Sequence, residues 1–94
     1  MTPKLLSSKE IGQLQNNLPA WSVSKKHIQR KFDFKNFIDA FGFITKVALL
    51  SETMNHHPEW SNTYGTVSIR LTSHDLGGLS DKDLLLANSI DLLI

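Results

Sequence analysis

The sequence predicts an α+β domain: a four-stranded antiparallel sheet with three helices packed on one face. Two observations carry this. Short segments of period-two alternation fall in neighbouring pairs joined by brief polar turns, which is the pattern of antiparallel hairpins. Helical patterns precede, separate and follow the two hairpins, so helix, hairpin, long helix, hairpin, helix is the order. With 94 residues and a hydrophobic fraction of 40%, the chain reads as one domain spanning 1–94.

Ser7 or Ser8 caps a short first helix carrying Ile11, Leu14 and Leu18, with Glu10 in its first turn and Pro19 ending it. Trp21-Ser22-Val23 is a strand, Lys25-Lys26 a polar turn, and His27 to Phe34 a second strand. Ile28, Phe32 and Phe34 share a phase there, and Arg30 is the charged exception.

Phe37 to about His56 is the long helix. Phe37, Ala40, Phe41, Ile44 and Ala48 form one apolar stripe, and Phe43, Val47, Leu50 and Met54 a second beside it. Together they cover about half the circumference, wider than the ~100° a single core needs. The second stripe is therefore expected to pack on another subunit, making helix 37–56 the contact of a homo-oligomer; a helix deeply seated in its own domain is the plainer alternative. Pro58 ends this helix and pushes His57 toward extended geometry.

Glu59 to Asn62 is a short extended piece. From Thr66 to Thr72, Val67, Ile69 and Leu71 point one way and Ser68, Arg70 and Thr72 the other. Asp75 to Gly78 is a loop. Ser80-Asp81-Lys82-Asp83 opens the last helix as a capping box with Asp in place of Glu, and Leu84, Ala87, Ile90 and Leu92 give that helix its apolar face.

Composition excludes several functions. The formal net charge of +1 argues against broad attraction to nucleic acid or an anionic membrane. No cysteine is present, so neither disulfides nor thiol chemistry is available. No stretch is long and apolar enough to span a bilayer. The opening Met1-Thr2-Pro3-Lys4-Leu5-Leu6 lacks the apolar run of a signal peptide, so the expected location is cytoplasmic.

The chemistry concentrates in three of the four histidines: His56, His57 and His74. Histidine both donates and accepts a proton near neutral pH, so the cluster points to proton transfer without a redox cofactor. Glu52 and His56, four apart near a helix end, share a face, and the carboxylate is expected to orient that imidazole. Asp83 stands in the first turn of the last helix, where an ionised carboxylate is stabilised; half of a cap is the plainer alternative. Zinc on Glu52, His56 and His74 is the rival chemistry, disfavoured because no H-x-x-x-H or H-E-x-x-H spacing occurs. Trp21 and Trp60 are core, interface or ligand platforms.

Glu52, His56-His57-Pro58, Tyr64, His74 and Asp83, at their spacing, resemble the signature of the pterin-4a-carbinolamine dehydratases. Phe34-Lys35-Asn36-Phe37, Ala40-Phe41-Gly42-Phe43, His56 to Trp60, Gly78-Leu79-Ser80, Leu86-Ala87 and Ile90 extend the likeness over nearly the whole chain from Trp21. Asn55, where an acid is common, and Ser73, where threonine is common, depart from the pattern but keep hydrogen-bonding capacity.

The resemblance implies dehydration of 4a-hydroxytetrahydropterin to quinonoid dihydropterin, recycling the cofactor of aromatic amino-acid hydroxylases. It implies no metal and no cofactor. His56 and His74 would form the proton-transfer pair, His57 would hold the pterin or share the acid role, and Glu52 and Asp83 would orient the imidazoles. Asn55, Pro58, Trp21 and the segment Thr72-Ser73-His74-Asp75 would contact substrate. The implied assembly is a dimer or tetramer built on a helical bundle, with an aromatic amino-acid hydroxylase as a possible partner. The alternative is a binding module, a dimerisation or transcriptional cofactor with incidental dehydratase activity.

Overall fold

The computed structural model describes residues 2–94. Its elements are α1 (Ser8–Asn17), β1 (Ser22–Val23), β2 (Ile28–Asp33), α2 (Phe37–Met54), β3 (Glu59–Thr63), β4 (Thr66–Leu71), a 3-10 turn (His74–Leu76) and α3 (Asp81–Asp91). The strands form one antiparallel sheet in the order β1-β2-β4-β3. The predicted α+β class, the four strands and the three α-helices are all present.

Local signals account for the boundaries. Ser7 caps α1: its hydroxyl accepts from the Glu10 amide and the Glu10 carboxylate accepts from the Ser7 amide. Hydrogen bonding of the Glu10 carboxyl to the Ser7 amide, and then to the Ser7 side chain, holds it below its ordinary range. Tyr64 and Gly65 turn the β3–β4 hairpin, with Tyr64 at a left-handed φ of 51°. Only glycine fits next to it. The Phe34 amide donates to the Gly65 carbonyl at 2.7 Å, and a Cβ on Gly65 would lie 2.3 Å from the Phe34 carbonyl oxygen.

Register places Ile28 opposite Leu71, Arg30 opposite Ile69 and Phe32 opposite Val67, so one face of the sheet is apolar. The helices cover that face. Leu14 and Leu18 of the first helical segment, Ala40, Phe43, Ile44 and Val47 of α2, and Leu86, Ala87 and Ile90 of α3 complete the core. Arg30, the charged exception in β2, is resolved by partners. Its guanidinium pairs with Asp91 at 2.7 Å and lies 4.5 Å from the centre of the Phe32 ring.

Two phase assignments are corrected. On α2, Phe43 and Val47 are buried in the chain's own core and Leu50 and Met54 pack against it, so the second stripe is not the free one. The exposed apolar residues are Phe37 (50%), Ile38 (80%), Phe41 (54%) and Leu49 (65%). Residues of both stripes reach the core, Ala40 and Ile44 from the first and Phe43 and Val47 from the second, while Phe37 and Phe41 of the first stay exposed. On α3, Leu86 takes the core position expected of Leu92, which lies beyond the last turn and is exposed. No helix among the described residues is long and apolar enough to cross a membrane.

Candidate functional site

The end of α2 determines where the histidines go. Asn55 adopts the left-handed conformation at φ 50°. The Asn55 amide donates to the Glu52 carbonyl and the His56 amide to the Ser51 carbonyl, the pair of bonds that closes a Schellman motif. Asparagine tolerates this conformation better than other residues with a Cβ. The helix therefore stops at Met54, and His56 leaves its surface.

This overturns the expected Glu52–His56 pair. Four-residue spacing brings side chains together only while the helix continues. Instead His57 Nε2 meets Glu52 Oε1 at 2.6 Å, and His56 Nε2 meets Asp83 Oδ1 at 2.6 Å. The two pairs differ in setting. Glu52 and His57 are solvent-exposed, whereas Asp83 is fully buried and His56 nearly so.

Asp83 is held from three sides. Its Oδ2 accepts from the Ser80 amide and the Ser73 hydroxyl, each at 2.9 Å. The Ser73 and Ser80 hydroxyls are 2.6 Å apart. The capping box and the carboxylate–imidazole pair are thus one structure: one oxygen of Asp83 caps α3 and the other orients His56. Asp83 thus makes both the cap bonds and the contact with the His56 ring.

β4 delivers the third histidine. Beyond Leu71 the chain forms the 3-10 turn His74–Leu76, and Gly77 at φ 75° returns it so that Ser73 and Gly78 bridge. His74 Nε2 lies 3.0 Å from Glu59 Oε1 on β3, a partner that sequence spacing does not indicate. In all three pairs the carboxylate occupies Nε2. No hydrogen bond engages Nδ1 of these rings among the described residues, so that nitrogen is left to give or take a proton.

The three histidines line one cleft of about 310 Å³, at the small end of ligand-site volumes. Asn55, Thr72, Ser73 and Asp75 also line it, as expected. Ser73 is largely buried and spends its hydroxyl on Asp83 and Ser80, so it supports the site from behind. Thr72 donates to the Lys26 carbonyl at 2.6 Å. Pro58 is not among the lining residues.

Trp21 is also corrected. It is buried in the core, where its indole N–H donates to Asp91 at the far end of α3 from Asp83. Three lining residues escaped the sequence: Pro3, Leu76 and Lys82. Lys82 donates to the Met54 carbonyl at 3.2 Å, bringing a cation to the negative end of α2. Pro3 arrives because the N-terminal arm zips onto the start of α3 through Lys4–Asp81 and Leu6–Leu79 hydrogen bonds. Lys82 could have been suspected from its place inside the capping box; Pro3 carried no signal. No group of three or more His, Asp or Glu side chains gathers as a metal-ligand set among the described residues.

The family described as Pterin 4 alpha carbinolamine dehydratase matches residues 4–93. A Prochlorococcus marinus (strain MIT 9313) protein named for that family is 54% identical over 93 residues, covering 99% of this chain and 97% of its own. A Synechococcus sp. (strain WH7803) protein of the same name is 56% identical over 89 residues, covering 95% and 96%. Among solved structures, a transcriptional coactivator/pterin dehydratase from Brucella melitensis superimposes with a TM-score of 0.89 at 33% identity, over 95% of this chain and 97% of that one. A pterin dehydratase-like RuBisCO assembly factor of the alpha-carboxysome shares the fold, with a TM-score of 0.64 at 23% identity over 78% of this chain and 84% of that one.

Proposed function

The chain belongs to the pterin-4a-carbinolamine dehydratase family of hydro-lyases, and from that premise we propose that its three imidazole–carboxylate pairs dehydrate 4a-hydroxytetrahydropterin by acid–base catalysis. Hydroxide is a poor leaving group. One imidazolium gives its Nδ1 proton to the departing hydroxyl, the C–O bond breaks, and a second imidazole takes the proton from the adjacent ring nitrogen as the C=N bond forms. Water and quinonoid dihydropterin leave, and the proton count balances.

His56 and His74 are the proton-transfer pair in this reading. The buried Asp83 carboxylate holds His56 in one orientation through the 2.6 Å contact. His74, on the opposite lip with Glu59, is exposed and able to exchange its proton with water. His57 with Glu52 holds the pterin or shares the acid role. Asn55, Thr72 and Asp75 contact the polar edge of the ring. The observation carrying the proposal is the convergence of three Nε2–carboxylate pairs on a single cleft.

The product would re-enter the cofactor cycle of an aromatic amino-acid hydroxylase, in the cytoplasm. The exposed apolar face of α2 (Ile38, Phe41, Leu49) supports association with further copies, as a dimer or tetramer. The same face supports the second reading, a docking module like the coactivator named in the Brucella structure.

The test is a direct assay of carbinolamine dehydration by the purified protein. The wild type should outpace the uncatalysed reaction, and His56→Ala and His74→Ala should each lower kcat by roughly 10²–10⁴-fold. Unaltered turnover in both folded variants would remove the acid–base assignment. No acceleration by the wild type would remove the reaction.

A further inference from the structure

The fourth histidine, His27, lies outside the site described so far, yet it opens onto a second cleft that shares a wall with the first. This second cleft is also about 310 Å³ and is lined by Lys26, His27, Glu59, Arg70, Thr72, His74 and the Gly77-Gly78 pair. His74 and Thr72 line both clefts, so the two are separated by little more than one imidazole and one threonine.

The second cleft is built and it is cationic. Thr72 Oγ1 donates to the Lys26 carbonyl, tying the turn that carries Lys26 and His27 to the end of β4. Register sets Arg70 directly opposite Glu59, the arrangement in which a cross-strand ion pair is expected. Glu59 instead bonds His74, and Arg70 makes only a long 3.3 Å bond to the neutral Gln29 amide. Among the described residues, no carboxylate pairs with Arg70, Lys26 or His27. Glu59, the one acid on this wall, is engaged by the imidazole. The planar guanidinium fork is thus free for a two-pronged partner.

We propose that this cleft is the side-chain subsite of the catalytic cleft, and that it takes an oxyanion, a phosphate ester or a carboxylate, carried on the substituent of the pterin ring. The proposal rests on the pterin reading and narrows it to a substrate class. With the ring beside His56 and His74, a substituent passing His74 reaches Arg70 and Lys26.

The experiment compares matched substrates: the 4a-carbinolamine of a 6-hydroxymethyl pterin, its phosphate ester, and the 6-carboxylate. The wild type should prefer the phosphate ester in kcat/KM by roughly tenfold at low salt, with the preference shrinking as ionic strength rises. Arg70→Gln should reduce the preference by roughly three- to tenfold, Lys26→Gln by less, and Arg70→Lys should restore part of it. A matching preference for the carboxylate identifies a general oxyanion site, and its absence identifies a phosphate site. Equal kcat/KM for charged and neutral substrates overturns the subsite and leaves the dehydratase reading standing. Should none of them turn over, that reading falls, and calorimetric titration with 6-hydroxymethyl-dihydropterin and its phosphate decides the subsite independently. Equal affinities overturn it; a phosphate advantage lost in Arg70→Gln upholds it.

Discussion

Asp83→Asn is the perturbation that separates the fold from the chemistry. The wild-type carboxylate uses one oxygen for His56 at 2.6 Å and the other for the Ser80 amide and Ser73 hydroxyl at 2.9 Å. An asparagine keeps its size and one acceptor. That oxygen will face the two donors, because turning the amide nitrogen toward the Ser80 N–H would bury donor against donor. The nitrogen then donates to His56 Nε2, which forces the ring proton to Nδ1 and removes the negative charge beside the ring. One charge-assisted bond becomes a neutral one, a stability loss of about 1–2 kcal/mol. Asp83→Ala should cost more, about 3–5 kcal/mol, because buried partners lose their acceptor with no water to replace it. The catalytic loss in Asp83→Asn should nevertheless be about 10²–10⁴-fold in kcat, with little change in KM. Carbinolamine dehydration at saturating substrate, paired with guanidinium unfolding of the same sample, reads both quantities. A folded Asp83→Asn protein with undiminished kcat would refute the role given to the buried carboxylate.

Phe41→Glu and Leu49→Glu should shift the sedimentation of the native protein to a smaller species while leaving the core intact; Val47→Glu should instead unfold the chain, since Val47 is fully buried. A wild type that sediments as a monomer, or a Phe41→Glu variant with unaltered mass, would exclude this face as the contact. Asn55→Gly should be tolerated, whereas Asn55→Val should cost at least about 1–2 kcal/mol in thermal or denaturant unfolding, because a β-branched residue opposes the left-handed turn at the end of α2. Glu10 supplies a small acid-sensitive contribution. Its folded carboxyl titrates below the ordinary glutamate range, so the contribution is present above that range and is lost as pH falls through the folded value. Glu10→Gln should flatten that part of the helicity-versus-pH curve, and an unaltered curve would contradict the capping-box assignment.

Alternation, caps and breakers are local, so the elements and their order were legible in the residues. Val67, Ile69 and Leu71 alternate with Ser68 and Arg70, Ser7 with Glu10 marks the start of α1, and Ser80 with Asp83 marks the start of α3. The cleft's main residues were legible too, because histidines and carboxylates in so short a span are chemically conspicuous. Pairing was not. Glu52 goes to His57 because one left-handed residue, Asn55, ends the helix at Met54, short of the expected boundary near His56. Asp83 reaches His56, and Glu59 reaches His74, across distances in sequence that no helical or strand period spans. The rotation of α2 was likewise undecided by its own residues, since both stripes are apolar and the core takes Ala40 and Ile44 from one and Phe43 and Val47 from the other. Trp21 looked equally suited to core or cleft until α3 brought Asp91 to its indole. Secondary structure follows from the chain's near neighbours, whereas the phase of a helix and the partner of a charge depend on which surfaces meet when the sheet and helices close on one another.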